Sequence, residues 1–345
     1  MSMTQVPAKT PVPPQGIIAS LVTGFEAINT RLELILLPLA LDLFLWLGPH
    51  LSISPLVPQV EAAMSSVIAA AGNYPATQSN FQVIRRALED YGATFNVFSF
   101  LSTAPLGLPS LLAGRGPVLT PAGNPVVWTV NSVPLYLLLW GTFVLLGLLL
   151  GAFYFGIIAQ QVRDKRLRWG MLLRQVWGDW ARLTALAVLA AGAILLLGFP
   201  VLLVTGLVSL ISPILGGLVW VGGLMVILWA LFYGGFALHG MLLQRRGLLS
   251  ALWDSARLVQ INLPYAAALF VVVVVINLGL ALVWNIPGDD SWLLLLGLGG
   301  HALISTALVA STFVFYQDRY RWWIEMRQTL RARAEADRRG LNRKA

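Results

Sequence analysis

The chain has 345 residues, of which 57% are hydrophobic and only 11% are charged, and its mean hydropathy is +0.76. Soluble domains carry about 25% charged residues, so this composition excludes a soluble globular protein. The net charge of +8 arises from basic residues beside apolar segments, a placement typical of membrane topology and anionic lipid rather than of nucleic-acid binding.

The first part of the chain predicts a disordered N-terminal segment that is followed by membrane-spanning helices. Residues 1–15 contain four prolines and no apolar run, which argues against a signal peptide. Several later apolar runs have the roughly 20 residues that a helix needs to cross the hydrocarbon core of a bilayer. The sequence therefore predicts an all-α, polytopic transmembrane helical bundle with six spans, at Leu32–Leu51, Pro134–Gln160, Leu183–Thr205, Leu215–Leu238, Pro264–Trp284 and Trp292–Phe315.

Three similar segments precede spans one, three and five, and each is predicted to be an amphipathic helix in the membrane interface. They begin at Gly16, Gly170 and Gly247, and in each the glycine is followed by two large apolar residues. In the third segment Leu249 and Trp253 belong to an apolar stripe, and the opposite stripe holds Ser250, Asp254 and Arg257. We interpret the three segments as an internal repeat of an interfacial helix plus a transmembrane hairpin, although any interfacial linker of a membrane protein has this pattern.

The longest stretch without a complete span, residues 52–133, is predicted to be an external helical insert between spans one and two. Val57–Ala71 and Phe81–Tyr91 have the composition of helices. The apolar segment Phe95–Leu112 is interrupted by Pro105 and Pro109, so we expect an interfacial or re-entrant piece rather than a span.

Lys and Arg residues predict the orientation of the spans. They collect after spans two and four and in the tail at residues 317–345, whereas the connection Asn285–Ser291 contains Asp289 and Asp290 and no base. The positive-inside rule then predicts a multi-pass protein of the cell membrane, with spans two to six in residues 134–316 and both termini in the cytoplasm. The tail is predicted to continue span six as a charged helix and to attract anionic lipids.

The ordering of these features resembles a broad group of bacterial integral membrane proteins. The resemblance is carried by the amphipathic segment Ser250–Arg257 before span five, and by Tyr316, Asp318 and Arg319 just after span six. The group includes the membrane domain of glycerophosphoryl diester phosphodiesterases and related stand-alone proteins. The resemblance implies a six-span architecture and leaves the function open, because catalysis in those phosphodiesterases belongs to a separate soluble barrel domain. The stretch PLALDLFLWLGP and the external insert depart from the group.

Asp42 is the most informative single residue, because it lies about 15 Å into the first predicted span. A carboxylate at that depth costs at least about 2.5–3.5 kcal/mol unless it has a partner. By their distance from the predicted span ends, Asn277 and His301 lie at a comparable depth, so we hypothesise an intramembrane polar cluster of Asp42, Asn277 and His301, extended by Ser305 and Thr306. Such a cluster holds helices together, forms part of a proton or ion path, or binds a ligand.

Other residues that could carry chemistry are few. The signatures HExxH, GxSxG, GxGxxG and the Walker loop are absent, there is no cysteine, and three scattered histidines do not predict a metal site. We therefore expect no enzyme, no cofactor and no nucleic-acid partner. His239 is predicted to be an interface residue near the inner end of span four. The GxxxG spacing of Gly147 and Gly151 predicts the close approach of another backbone to span two.

Two functional hypotheses follow from the sequence. The leading one is a non-enzymatic scaffold, assembly factor or accessory subunit that binds lipid or membrane-protein partners through its interfacial helices and external insert. The alternative is a transporter or channel component that uses the polar site around Asp42.

Overall fold

The protein is described by a computed structural model that covers residues 12–71, 75–116 and 119–342. The described residues form an all-α bundle, which confirms the predicted fold class. The first helices are α1 (Ile17–Asn29), α2 (Leu36–Leu47), α3 (Val57–Ala71), α4 (Pro75–Thr94) and α5 (Val133–Asp164). They are followed by α6 (Trp169–Ile211), α7 (Pro213–Gly234), α8 (Ala237–Leu243), α9 (Leu248–Ile261), α10 (Leu263–Trp284) and α11 (Leu294–Asn342).

Short elements connect some of these helices. Turns of 3₁₀ helix lie at Leu32–Ile35, Ser54–Leu56 and Val97–Leu101. Two three-residue strands, β1 (His50–Ser52) and β2 (Val127–Thr129), pair in parallel and join the two ends of the external insert.

Within the described ranges five segments are long and apolar enough to cross a membrane, so the chain is a membrane protein. They are α5, α6, the stretch Pro213–Leu243 that contains α7 and α8, α10, and α11 as far as Glu335. The first of the six predicted spans, Leu32–Leu51, is not among them. Its helix α2 has 12 residues, about 18 Å, and ends at Leu47 because Gly48 is extended and Pro49 has no N–H to continue the helix.

The segment formed by α1, the following 3₁₀ turn and α2 lies antiparallel along α11. Contacting residues occur in opposite order on the two segments: Gln15 with Asp318, Gly24 with Ser311, and Trp46 with Trp292. A Cβ atom on Gly24 would lie 2.6 Å from the Cα of Ser311, so only glycine allows this approach. Helix α1, predicted to be interfacial, thus packs lengthwise on α11, and its start lies at the same end of the bundle as the start of the tail.

The other two predicted interfacial segments differ from each other. The segment that begins at Gly170 is the first part of the single 43-residue helix α6, which continues through Pro200. The segment that begins at Gly247 forms the separate helix α9, and part of its predicted apolar stripe faces outward. Leu249 and Trp253 are 76% and 65% exposed, whereas Asp254 is buried. Asp254 faces the guanidinium of Arg246 at 3.5 Å.

Helices α1 and α9 nevertheless bury equivalent positions. The residues four, eight and twelve positions after the leading glycine are buried in both, namely Ser20, Gly24 and Ile28 in α1 and Ala251, Ser255 and Val259 in α9. The residues two and six positions after it are exposed in both, namely Ile18 and Val22, and Leu249 and Trp253. These shared faces support the internal repeat for the first and third copies.

The external insert does not lie wholly outside the bundle. A loop segment at residues 97–116 packs against α5 at Gly147 and Gly151, which confirms the predicted close approach of a backbone. A Cβ atom on Gly147 would lie 2.7 Å from the carbonyl oxygen of Leu101, and one on Gly151 would lie 2.3 Å from that of Leu106. Both glycines are far along α5, roughly 21 and 27 Å from its start. This depth is the one expected of a re-entrant segment.

The centre of the bundle is made by α5 and α11. In their most apolar stretches 56% and 61% of the residues are buried, whereas the corresponding shares are 0% in α6 and 11% in Pro213–Leu243 and in α10. The last three segments therefore present their apolar side chains outward, as helices surrounded by lipid do.

We predict that Gly147→Ala and Gly151→Ala each destabilise the protein by about 1–3 kcal/mol, because the added methyl group displaces the loop segment. Gly141→Ala is the matched control, since it lies in the same helix with nothing within 4 Å of its Cβ position. That change is expected to be neutral or to stabilise by up to about 1 kcal/mol. Thermal unfolding of the purified protein measures all three, and equal effects at Gly141 and Gly147 would contradict the packing described.

Candidate functional site

Asp42 accepts hydrogen bonds from the loop segment and not from another transmembrane helix. Its carboxylate, fully buried on α2, accepts from the hydroxyl of Ser110 and from the backbone N–H groups of Leu111, at 3.0 Å, and Leu112, at 3.2 Å. Three donors converge on one carboxylate, which is the arrangement that makes a buried charge or a buried polar group tolerable. We call this contact the Asp42 junction.

The loop segment satisfies its own polar groups around the Asp42 junction. The hydroxyl of Ser110 also accepts from the N–H of Ala113 at 2.9 Å. Ser102 donates to the carbonyl oxygen of Leu108 at 2.7 Å, and the hydroxyl of Ser99 accepts from the N–H of Gly114 at 2.8 Å. Backbone that lacks helical hydrogen bonds persists within an apolar bundle only when such partners are present.

The predicted partners of Asp42 occupy other environments. His301 is 6% exposed and its Nε2 atom has no hydrogen-bond partner among the described residues, while Asn277 is half-buried on α10. In the described part of the chain no hydrogen bond joins Asp42 to either residue. Ser305 donates to the carbonyl oxygen of His301 within α11, and Thr306 bonds the hydroxyl of Tyr154 at 3.1 Å. The hydrogen bonds of Asp42 therefore go to the insert and not to the predicted cluster.

A second contact holds the loop segment beside the Asp42 junction. Arg115 forms an ion pair with Asp289 at 2.9 Å and also donates to the side chain of Asn285. The indole of Trp46 donates to the carbonyl oxygen of Asp289 at 2.8 Å. Asp289 belongs to the connection between α10 and α11, so the insert is tied to that connection as well as to α2.

A cavity of about 10 Å³ adjoins the Arg115 ion pair and is lined by Trp46, His50, Arg115 and Asp289 among others. This volume corresponds to about one water molecule and is too small for a transported solute. Burial lowers the pKa of His50 below its ordinary value, so the ring is neutral at pH 7.

The opposite end of the bundle contains a network of basic residues. Asp179, 4% exposed, pairs with Arg182 at 3.1 Å and with Arg245 at 3.3 Å. Burial lowers the pKa of Arg245, and the charge of Asp179 opposes that shift. Arg246 donates to the hydroxyl of Tyr320 on α11 at 2.8 Å. These contacts join α6, the α8–α9 connection and α11.

Two polar side chains of this end are buried between helices. His239, predicted to be an interface residue, is only 7% exposed and its Nε2 lies 2.8 Å from the hydroxyl of Thr312. Ser255 bridges the break between α7 and α8. Its hydroxyl donates to the carbonyl oxygen of Tyr233 at 2.7 Å and accepts from the N–H of Phe236 at 3.0 Å. Both contacts serve packing between elements.

Sequence reasoning missed Ser110, Arg115 and Ser255, although signals for two of them were present. Ser110 lies in the one apolar segment predicted to be re-entrant, where the backbone needs polar partners. Arg115 is the only base between Phe95 and Asn131, and the connection after span five contains acids without a base. No signal pointed to Ser255.

The chemistry of these sites is that of hydrogen-bonded structural contacts. Within the described ranges no group of three His, Asp or Glu side chains could hold a metal ion. The hydroxyl of Ser110 donates to the carboxylate of Asp42 and accepts from the backbone N–H of Ala113, so both of its hydrogen-bonding roles are used within the chain.

We predict that Asp42→Leu destabilises the protein by about 2–5 kcal/mol, because it leaves three buried donors without an acceptor. Asp42→Asn keeps one acceptor oxygen and is expected to cost about 1–2 kcal/mol. Asp290→Leu, at an exposed acid of the α10–α11 connection, is the control and is expected to have little effect. Unfolding of each variant measures the differences. If Asp42→Leu were as stable as the unchanged protein, the Asp42 junction would be refuted.

We predict that Arg115 and Asp289 couple by about 0.5–1 kcal/mol in a double-mutant cycle with Arg115→Gln and Asp289→Asn. The exposed pair Arg85 and Glu89 on α4 has a similar separation, 3.0 Å, and serves as the control. Its coupling is expected to be smaller because solvent screens it. Loss of Arg115 should also raise hydrogen exchange in the loop segment, whereas loss of Arg85 should not.

Comparisons with known proteins give no relative from which a role could be transferred. No protein-family model, no curated protein and no solved structure matches this chain. The resemblance to the membrane domain of glycerophosphoryl diester phosphodiesterases stays a prediction from the sequence.

Proposed function

We propose that the chain is a non-enzymatic integral protein of the cell membrane, an accessory or scaffold subunit that displays residues 52–133 on the outer face for a membrane-protein partner. The observation that carries this proposal is the Asp42 junction. The most deeply buried carboxylate of the bundle is used to hold the insert in a defined position, and a fixed position is what a recognition surface requires.

The proposed topology has both termini in the cytoplasm. Gln15 contacts Asp318 and Arg319 at one end of the bundle, where Arg246 also contacts Tyr320. The basic residues at this end support its assignment to the cytoplasm by the positive-inside rule. In this proposal α1, the 3₁₀ turn and α2 together make a sixth, interrupted crossing beside α11.

Two kinds of lipid contact are part of the proposal. The outward faces of α6, α7 and α10 meet the acyl chains. The exposed bases at the end of α11 meet the surface of an anionic membrane, where each is worth about 1 kcal/mol: Arg321, Arg327, Arg331 and Arg333. The resemblance to a non-catalytic membrane domain is consistent with this role.

A transporter or channel role is the competing proposal. His301 favours it, because a buried ring nitrogen without a partner among the described residues is a potential site for a proton or a polar solute. The use of Asp42 by the loop segment disfavours it, since a carboxylate with three donors has little capacity left for an ion.

The experiment that tests the proposal extracts the tagged chain and its variants gently from their own membrane and compares the co-purifying proteins by mass spectrometry. We expect a stoichiometric partner with the unchanged protein and with Asp290→Leu, and its loss with Asp42→Leu, which releases the insert. Flux in proteoliposomes is measured in parallel with Asp42→Asn. A flux that this variant abolishes, together with a partner-free extract, would replace the scaffold proposal with the transporter.

A further inference from the structure

Arg319 on α11 is a buried base that lacks most of its expected hydrogen bonds. The residue is 1% exposed, and its Nε and Nη1 atoms have no hydrogen-bond partner among the described residues. Its Nη2 donates to the carbonyl oxygen of Gln15 at 3.2 Å. The guanidinium lies 3.6 Å from the ring centroid of Phe315 and 5.5 Å from that of Tyr265.

The positive charge of Arg319 is not matched by an acid. Among the described residues no carboxylate lies within 4.0 Å of it, and the carboxylate of neighbouring Asp318 accepts from the N–H of Gln15. The chain before Glu26 contains no Asp or Glu, so the N-terminal segment cannot supply a side-chain anion. Buried charges in proteins are normally paired, so an anion from outside the chain fits this site.

The place of Arg319 in the bundle indicates which anion. Arg319 follows Phe315, the last residue of the sixth predicted span, and it faces Tyr265 in the first turn of α10. The start of α10 and the last residues of the apolar part of α11 therefore lie beside it, at the end of the bundle where the bases collect. In the proposed topology this is the depth at which phospholipid phosphate groups lie, and guanidinium groups bind phosphate oxygens well.

We infer that Arg319 binds the phosphate group of an anionic phospholipid headgroup between the start of α10 and the middle of α11. Gln15, which holds the one hydrogen bond of the guanidinium, is an exposed residue at the start of α1, so a small displacement of this segment admits the headgroup. The site is distinct from the exposed bases of the tail, because its partner is a single phosphate in an enclosed position rather than a charged surface. It does not depend on the proposed scaffold role.

The test measures thermal unfolding in nanodiscs of phosphatidylcholine alone and of phosphatidylcholine with phosphatidylglycerol. We expect phosphatidylglycerol to stabilise the unchanged protein and Arg174→Gln, whose side chain is exposed on α6, but not Arg319→Gln. In phosphatidylcholine alone, Arg319→Gln is expected to be at least as stable as the unchanged protein, because it removes an unmatched buried charge. Equal destabilisation of Arg319→Gln in both lipids would overturn the inference and make Arg319 a packing residue.

Native mass spectrometry supplies a second readout that does not depend on how well Arg319→Gln folds. We expect the unchanged protein to retain phosphatidylglycerol about tenfold or more over phosphatidylcholine, and Arg319→Lys to fall between the unchanged protein and Arg319→Gln. Equal loss of retention in Arg319→Gln and Arg321→Gln would overturn the inference in favour of diffuse attraction to the tail. Stabilisation by inorganic phosphate in phosphatidylcholine discs, without lipid retention, would overturn the lipid source and leave free phosphate as the ligand.

Discussion

The arrangement of this bundle depends on one buried carboxylate and the three donors that converge on it. Without an acceptor at Asp42, the hydroxyl of Ser110 and the amides of Leu111 and Leu112 would be buried unpaired, and the loop segment could not stay within an apolar bundle. Its glycine contacts on α5 follow from that placement. The ion pair of Arg115 joins the same segment to the α10–α11 connection. The loop segment therefore contacts α2, α5 and the connection that leads into α11.

Two groups of polar contacts lie towards opposite ends of the bundle, and the bond between Tyr154 and Thr306 lies between them. At the Trp46 end they attach the insert to the helices. At the Gln15 end Asp179, Arg245 and Arg246 attach the helices to one another, and Arg319 stands apart because its charge has no ion-pair partner among the described residues. The outward faces of α6, α7 and α10 are apolar, so the ion pairs that join these helices to the rest of the bundle lie near its ends.

Composition and periodicity predict the helices well, because spanning segments must be long, apolar and internally hydrogen-bonded. They predict less where a contact depends on residues far apart in the chain. The depth of Asp42 in its predicted span correctly indicated that its carboxylate needs a partner. Several helices have residues at the same depth, so depth alone could not identify that partner. It is the non-helical loop segment, about 70 residues further along the chain. The sequence shows the two stripes of α9 but not which of them faces the bundle, because an apolar residue facing lipid and one facing the core have the same hydropathy. The first span was overestimated because its apolar run continues past Gly48 and Pro49, which end the helix.

The interruption between α1 and α2 has a consequence for how the chain is made. A 12-residue helix is too short to be stable in a bilayer by itself, and the surface that it and α1 require is on α11, which is synthesised after α3 to α10. The N-terminal segment therefore reaches its final position only after α11 has been synthesised. Completion of α11 is therefore the step that fixes the position of α1 and α2, and of the insert that Asp42 holds, whereas the four preceding spans are long enough to enter the membrane before it.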